Sequence, residues 1–448
     1  MKISPLSEFL GGRLRSKTGK AIGGTGLIRL ACMVVAFACS VLLARVQGVE
    51  QFGVYSYVIG LVSLIGLIPQ YGLPSLVMRE TARARQAAEW GLMKGLWRWS
   101  FHTCIKLCLL AVFLGVAVYY LWVSAQNGEI SQGYLWGLIL IPLVALARLR
   151  AAALRGLQYP VRSQLPENLL RPLFLAGFVL LFLLAGHSLS ALSAIKFHLL
   201  AAAITFVLGT LILWRSKPEQ LSGNEASYRN AGSWLAAIIP LGALGTLQMS
   251  SQQIDIIMIG SMLTPTETGV YKVFVSTATL IMLGLQIVSL VLGPRIAGYL
   301  EAGDQNAVQR NVTYAVLAGL LFAVPVSGLF LFGGRFLISA VYGQEFVQTY
   351  SAFQLLVLTQ LINVAFGCTA TLLNMARMEK SCLVWFGLAT VVNIVGNYFL
   401  IPILGINGVA ISTMISVIVW NLAYCLLGYK KLGINTSFLS LFGERKYL

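Results

Sequence analysis

The stretch "GVYSYVIGLVSLIGLIPQYGLPSLVMR", residues 53–79, decides how this chain folds, because it recurs 216 positions later as "GVYKVFVSTATLIMLGLQIVSLVLGPR", residues 269–295. The copies agree at nine of 27 positions, where about three matches are expected between two unrelated apolar helices. Gln70/Gln286 and Arg79/Arg295 are polar matches that apolar composition does not produce. Each copy starts at the turn before an even-numbered apolar segment. Six segments separate the copies, an even number, so both point the same way. The pattern implies a parallel duplication about a pseudo-twofold axis along the membrane normal.

Outward from these copies the chain is apolar almost throughout. Of 448 residues, 58% are hydrophobic and 10% charged, far from the roughly 25% charged usual in soluble domains. A bilayer core needs about 20 apolar residues to be crossed as a helix, and twelve such segments can be marked. The expected fold is an all-α polytopic membrane protein with about 12 transmembrane helices in two six-helix lobes around a central cavity. The lobes are residues 1–217 and 231–448, joined by a cytoplasmic linker, 218–230. Pro69, Pro142, Pro240 and Pro325 fall mid-segment, so broken helices are expected where neighbours or a wet cavity satisfy the freed backbone.

Orientation follows from the basic residues. With twelve segments both termini lie on one side, which carries 25 of the 32 Lys and Arg; Arg45 and Arg335 lie on the other, and five lie within apolar runs. The positive-inside rule makes the rich side, and both termini, cytoplasmic. The formal charge of +17 is therefore mainly an orientation signal. No basic stripe with interleaved aromatics stands outside the membrane, so no nucleic-acid partner is expected, while anionic headgroups of membrane lipids are favoured. The N-terminus does not read as a cleavable signal peptide. The seven cysteines lie in or beside apolar runs without a CxxC and read as small hydrophobes. No cofactor and no metal are expected.

Charges inside segments need reasons, since each costs about 2.5–3.5 kcal/mol on insertion scales. Arg29 lies deep in the first segment with no acidic neighbour on its own helix; facing a wet cavity, its guanidinium can hold a phosphate bidentately. Asp255 and Lys272 flank one short turn. They either neutralise each other or serve gating or proton coupling. Lys196 and His198 lie in the outer half of the sixth segment. Lys106 and Arg171 lie near segment ends and can snorkel, and Arg171 stands i,i+4 from Glu167. The polar run "QMSSQQIDIIMIGS" (248–261) cannot wholly face lipid, so it lines a cavity or joins helices. The candidate substrate-binding residues are Arg29, Lys272, Lys196, Tyr55 and Gln252. Asp255, Arg79 and Glu80 are the candidates for gating or ion coupling. Cations outnumber anions inside, which favours a negatively charged substrate.

Residues 42–80 carry Ala44-Arg45, Gly48, Phe52-Gly53-Val54-Tyr55, Gly72 and Arg79-Glu80. This hairpin resembles the first hairpin of the bacterial polysaccharide flippases, the Wzx-type O-antigen and capsule exporters. "IDIIMIGSMLTPTETGVY" (254–271), with Asp255, Gly260, Gly269 and Tyr271, resembles their span 7–8 corner. The resemblance implies a superfamily shared with multidrug exporters and peptidoglycan-precursor flippases, two six-helix lobes around a V-shaped cavity, and alternating access. It implies an undecaprenyl-pyrophosphate-linked oligosaccharide as substrate, the bacterial cytoplasmic (inner) membrane as location, and polysaccharide polymerases or other assembly proteins as partners. In the precursor flippases an arginine of the first span helps to hold the pyrophosphate, and Arg29 stands in a comparable place. Those proteins usually have fourteen spans.

Two other classes fit the composition. A cation-coupled multidrug exporter of the same fold would want acids in its cavity, and Asp255 stands against Arg29, Lys196 and Lys272. A membrane polymerase or ligase would carry a large external loop with catalytic charges, whereas the longest one expected, "GGRFLISAVYGQEFV" (333–347), is short. No P-loop, HExxH or nucleophile elbow occurs. Enzymatic catalysis is not expected.

Overall fold

The computed structural model describes residues 17–441 except Asn127, with side chains from Leu30 onward except Leu290. Among the described residues the chain is helical, with no strand. The first half holds α1 (Lys17–Ile65), α2 (Leu73–Gln86), α3 (Trp90–Leu121), α4 (Gly128–Leu138), α5 (Leu140–Gly156), α6 (Pro160–Gln164), α7 (Arg171–Leu184) and α8 (Ala191–Ser216). After the short α9 (Gln220–Gly223), the second half holds α10 (Ala231–Met262), α11 (Pro265–Ala278), α12 (Leu283–Glu301), α13 (Gln305–Val341), α14 (Tyr350–Ala365), α15 (Thr369–Met375), α16 (Glu379–Leu404) and α17 (Ile406–Leu432).

Ten helical stretches are long and apolar enough to cross a membrane, or eleven if α14 and α15, bent by 42°, form one span. The protein is a multi-pass membrane protein. The twelve expected segments differ from this count at Gly48. There the backbone is non-helical (φ 73°, ψ 172°) and two helices, 17–47 and 49–65, meet across a kink within α1, so one stretch of that count holds the first two expected segments. Large apolar side chains such as Phe332 and Leu121, 94% and 87% exposed, form the outer surface, as a lipid solvent permits.

Both repeat copies break mid-span. A 3₁₀ turn, Ile68–Gln70, containing Pro69 separates α1 from α2, and another, Thr279–Met282, separates α11 from α12. Pro240 and Pro325 remain inside α10 and α13, and Pro142 sits in the first turn of α5. The expected external loop 333–347 is mostly helix, because α13 runs on to Val341.

The copies meet at their starts. A Cβ on Gly53 would strike the carbonyl oxygen of Pro265, and a Cβ on Gly269 would strike that of Val49. Both pairings join positions related by the 216-residue repeat, so the contact is reciprocal, the relation that twofold symmetry imposes on equivalent residues. In lipid, helices gain little from hydrophobic exclusion and associate by close packing, which small residues permit. At the opposite end, Gly72 packs on the backbone of Ile238 and Gly242 in α10. Its φ of 62° is a left-handed conformation that glycine adopts without penalty.

The segment between the halves is docked. The Lys94 ammonium donates to the Asn224 carbonyl (2.6 Å) and Ser227 N–H to the Gly91 carbonyl (2.9 Å). Arg229 pairs with Glu89.

Candidate functional site

The break between α1 and α2 leaves a hollow, which α5, the turn before α7, and α10 enclose. A cavity of about 380 Å³ is lined there by Gln70, Arg148, Arg155, Glu167, Asn168 and Arg171, with Gly242, Gly245, Thr246 and Met249 of α10 on the facing wall. A second cavity of about 220 Å³ continues it inward, sharing Gln70, Arg148, Arg171 and Met249 and adding His198, Gln252 and Gln253. The two halves of the chain thus share one polar space.

Local sequence explains the arrangement. Arg148, Ala151 and Arg155 stand at i, i+3 and i+7 of α5, on one face, and all three line the larger cavity. Pro160 opens the helix that follows, and Pro166 falls where Leu165–Leu170 widens into a π-helix. Such turns often mark functional positions, and this one presents Glu167 and Asn168 to the cavity. Glu167 accepts from the buried Arg150 at 2.6 Å and pairs with Arg171 at 3.5 Å. Arg150 also donates to the Phe206 carbonyl at 2.7 Å. The one lining carboxylate is therefore engaged by two guanidiniums, and the space is cationic. Arg148 reaches the Met249 sulfur of the other half at 3.3 Å. Gln70 donates its amide N–H to the Gly66 carbonyl (2.6 Å), and its buried carbonyl oxygen has no partner among the described residues. The same is true of the carbonyl oxygen of its repeat mate Gln286.

A separate polar cluster lies in the second half. Asp255 accepts from Asn397 (2.8 Å), Thr413 (2.9 Å) and Tyr271 (3.2 Å). Asn393 donates to Thr413 (3.3 Å), and the Asn397 carbonyl oxygen is buried without a partner among the described residues. Four helices, α10, α11, α16 and α17, converge on one carboxylate.

The expected site residues separate into groups. Gln252 lines the second cavity. Tyr55 is buried with its hydroxyl 2.8 Å from Nδ1 of His198, a cavity-lining residue. Arg29 lies in α1, and its side chain falls outside the described residues. Lys196 is exposed and rests its ammonium over the Trp136 ring, 5.2 Å from the centroid. No ion pair joins Lys272 to Asp255 among the described residues, so of the two alternatives mutual neutralisation is not what the structure shows: Asp255 turns instead to neutral donors. Arg79 pairs with Glu80 at 3.0 Å, and Arg83 approaches the same carboxylate at 3.9 Å, beyond the cavity on the basic end. In the sequence Arg148 and Arg155 belong to the orientation signal, and Arg171 has the place of a snorkelling residue; in the structure all three line the cavity. The i, i+7 spacing of Arg148 and Arg155 was the available signal.

The family model for "Polysaccharide biosynthesis protein" matches residues 19–300, more than half of the chain. The chain belongs to this family. A second model, MatE, matches residues 240–399 of the same family member. A relative from Haloferax volcanii, described as "Probable low-salt glycan biosynthesis flippase Agl15", is 23% identical over 382 residues, which are 83% of this chain and 75% of the relative. Among solved structures, a multidrug resistance MATE family transporter of the MOP superfamily in an inward-facing conformation superposes with a TM-score of 0.75 at 14% identity, covering 90% of this chain and 94% of that one. The lipid II flippase MurJ in an inward closed conformation gives 0.70 at 12% identity, covering 93% and 90%. The polysaccharide biosynthesis family member thus has the fold of these two transporters, and the resemblance carried by Phe52-Gly53-Val54-Tyr55 holds at the level of the family.

Proposed function

We propose that the protein is a flippase that moves undecaprenyl-pyrophosphate-linked oligosaccharide repeat units across the bacterial cytoplasmic membrane, for surface polysaccharide assembly. The observation that carries this reading is the cavity bearing Arg148, Arg155 and Arg171 with one already engaged carboxylate. A pyrophosphate diester presents two negative charges and planar arrays of acceptor oxygens, which guanidinium forks match bidentately. Arg29 is the further candidate for that headgroup. The glycan flippase relative from Haloferax volcanii supports the substrate class. An organic cation would meet repulsion in the same space, which disfavours drug export.

Transport in this reading is alternating access. The lobes 1–217 and 231–448 rock against each other, with linker 218–230 and both termini cytoplasmic. Asp255, held by Asn397, Thr413 and Tyr271, is the proposed site of coupling to a monovalent cation or proton. Polymerases or other assembly proteins would take the product at the outer face.

The deciding experiment reconstitutes the protein in vesicles with undecaprenyl-pyrophosphate-linked oligosaccharide and measures exposure of the sugar in the opposite leaflet by glycosidase digestion. The parent is expected to expose it and the Arg148→Ala/Arg171→Ala variant to lose at least tenfold in rate. A parent that ignored the lipid-linked sugar and extruded dye cations would replace this reading with the exporter.

A further inference from the structure

At one corner the second half of the chain reaches over to the first. After α13 ends, Gly343 (φ 121°) turns the chain into a 3₁₀ turn, Gln344–Val347. The Glu345 carboxylate lies 3.5 Å from the N–H of Val49, the residue that restarts α1 after the Gly48 kink. Phe346, 1% exposed, meets the ring of Phe52 edge-on at 6.4 Å, and Tyr342 meets that of Phe37 at 6.3 Å. Tyr342 is tied to its own half, since its hydroxyl accepts from Thr277 at 3.3 Å.

The repeat shows why this bridge exists on one side only. At 216 positions' separation, Gly48 corresponds to Thr264, Val49 to Pro265, Gln51 to Glu267 and Glu129 to Glu345. Helix α11 caps itself: Thr264 accepts from Glu267 N–H, and the Glu267 carboxylate accepts from Thr264 N–H at 3.1 Å, a capping box. The equivalent start at Val49 has glycine in place of the cap side chain and glutamine in place of the acid. Gln51 is engaged elsewhere, donating to Glu129 and accepting from Ala191 N–H, each at 2.7 Å. In the mirror direction Pro265 offers no N–H to a carboxylate from the first half.

We propose that Glu345 is an interlobe latch, a helix cap for Val49 supplied by the opposite half and formed only while the halves are closed at this corner. The proposal rests on the rocking motion of the preceding reading. A carboxylate at a helix N-terminus satisfies an otherwise orphaned N–H and favours the dipole. Because the open state must forgo that bond, the latch biases the resting protein toward closure on the side opposite the cavity mouth.

The test measures lobe separation directly, so its outcome is independent of what the protein transports. In a background with the native cysteines replaced, spin labels at Ser124→Cys and Leu404→Cys, both exposed, report the distance distribution by pulsed electron resonance. Glu345→Ala is expected to raise the fraction open at this corner about fivefold, the effect of losing a cap. Val49→Pro removes the donor N–H while keeping an apolar three-carbon side chain, and copies the residue at 265; proline is tolerated at a first helical position. It should give the same shift, and the double variant no more than either alone. Unchanged distances in both single variants, or shifts that add in the double variant, would overturn the latch. Transport of lipid-linked sugar, scored separately, tests the flippase reading.

Discussion

Gly53 and Gly269 stand back to back where the halves of the chain meet, each in the place where a methyl group would strike the other copy's backbone. One glycine could be incidental. Two, 216 positions apart and opposed to the carbonyls of Pro265 and Val49, which are also 216 positions apart, make the contact reciprocal.

Gly53→Leu and Gly269→Leu should therefore act alike. Overpacking costs about 1–3 kcal/mol, and here it falls wholly on the state in which the copies touch. Thermal unfolding in detergent should shift down modestly for both, while the lobe distance near Val49 widens. A distance unchanged in both variants would mean that the junction yields elsewhere.

Glu167 is expected to be the costliest polar residue to remove. It joins Arg150, which is buried, to Arg171. Breaking a buried pair from one side costs about 3–5 kcal/mol, because a desolvated charge is left behind. Glu167→Ala should fall most in melting temperature. Arg150→Met/Glu167→Leu, which removes both partners, should recover much of the loss.

Arg148→Ala separates binding from folding. Arg148 is exposed to the cavity and its one side-chain hydrogen bond among the described residues is to the Met249 sulfur at 3.3 Å, so the melting temperature should hold. Losing one charge-assisted contact to a phosphate, about 1.5–3 kcal/mol, corresponds to roughly 10- to 150-fold in affinity for lipid-linked pyrophosphate. Arg148→Lys should recover only part, because the ammonium keeps the charge but not the fork.

Lys196→Ala supplies the contrast. Its ammonium lies over Trp136 on the outer face, where a cation–π contact contributes about 0.5–1 kcal/mol at most. Transport rates within about twofold of the parent are expected in the vesicle assay.

Asp255→Asn is expected to lower the melting temperature modestly, since asparagine keeps one acceptor oxygen where Asn397 uses one carboxylate oxygen and Thr413 and Tyr271 the other. Flipping driven by an imposed Na⁺ or proton gradient should lose its dependence on that gradient. A retained dependence would move coupling away from this cluster.

Much of this was legible in the chain. A composition of 58% hydrophobic residues with apolar runs filling nearly the whole chain left little but a helical multi-pass membrane protein. The excess of cations over anions inside the runs was also visible, and the cavity is cationic. The particular cations were not. Lys196 and Arg171 look alike in sequence, each a basic residue within an apolar run, yet one lies over an outer tryptophan and the other lines the cavity. Arg148 and Arg155 carry the signature of cytoplasmic markers in the chain, yet both line the cavity.

By itself the sequence determined the solvent, the repeat and the sign of the interior charge, because these depend on which residues are present and how far apart they recur. Only the tertiary structure decided which side chains meet. Each helix turns its faces by about 100° per residue, so a proline-induced π-turn at Leu165–Leu170 or a kink at Gly48 re-aims everything beyond it. That rotation brings Glu167 onto Arg150 and Arg171. A similar dependence on backbone direction leaves Asp255 among neutral donors and puts Glu345 of one half on the bare helix start of the other.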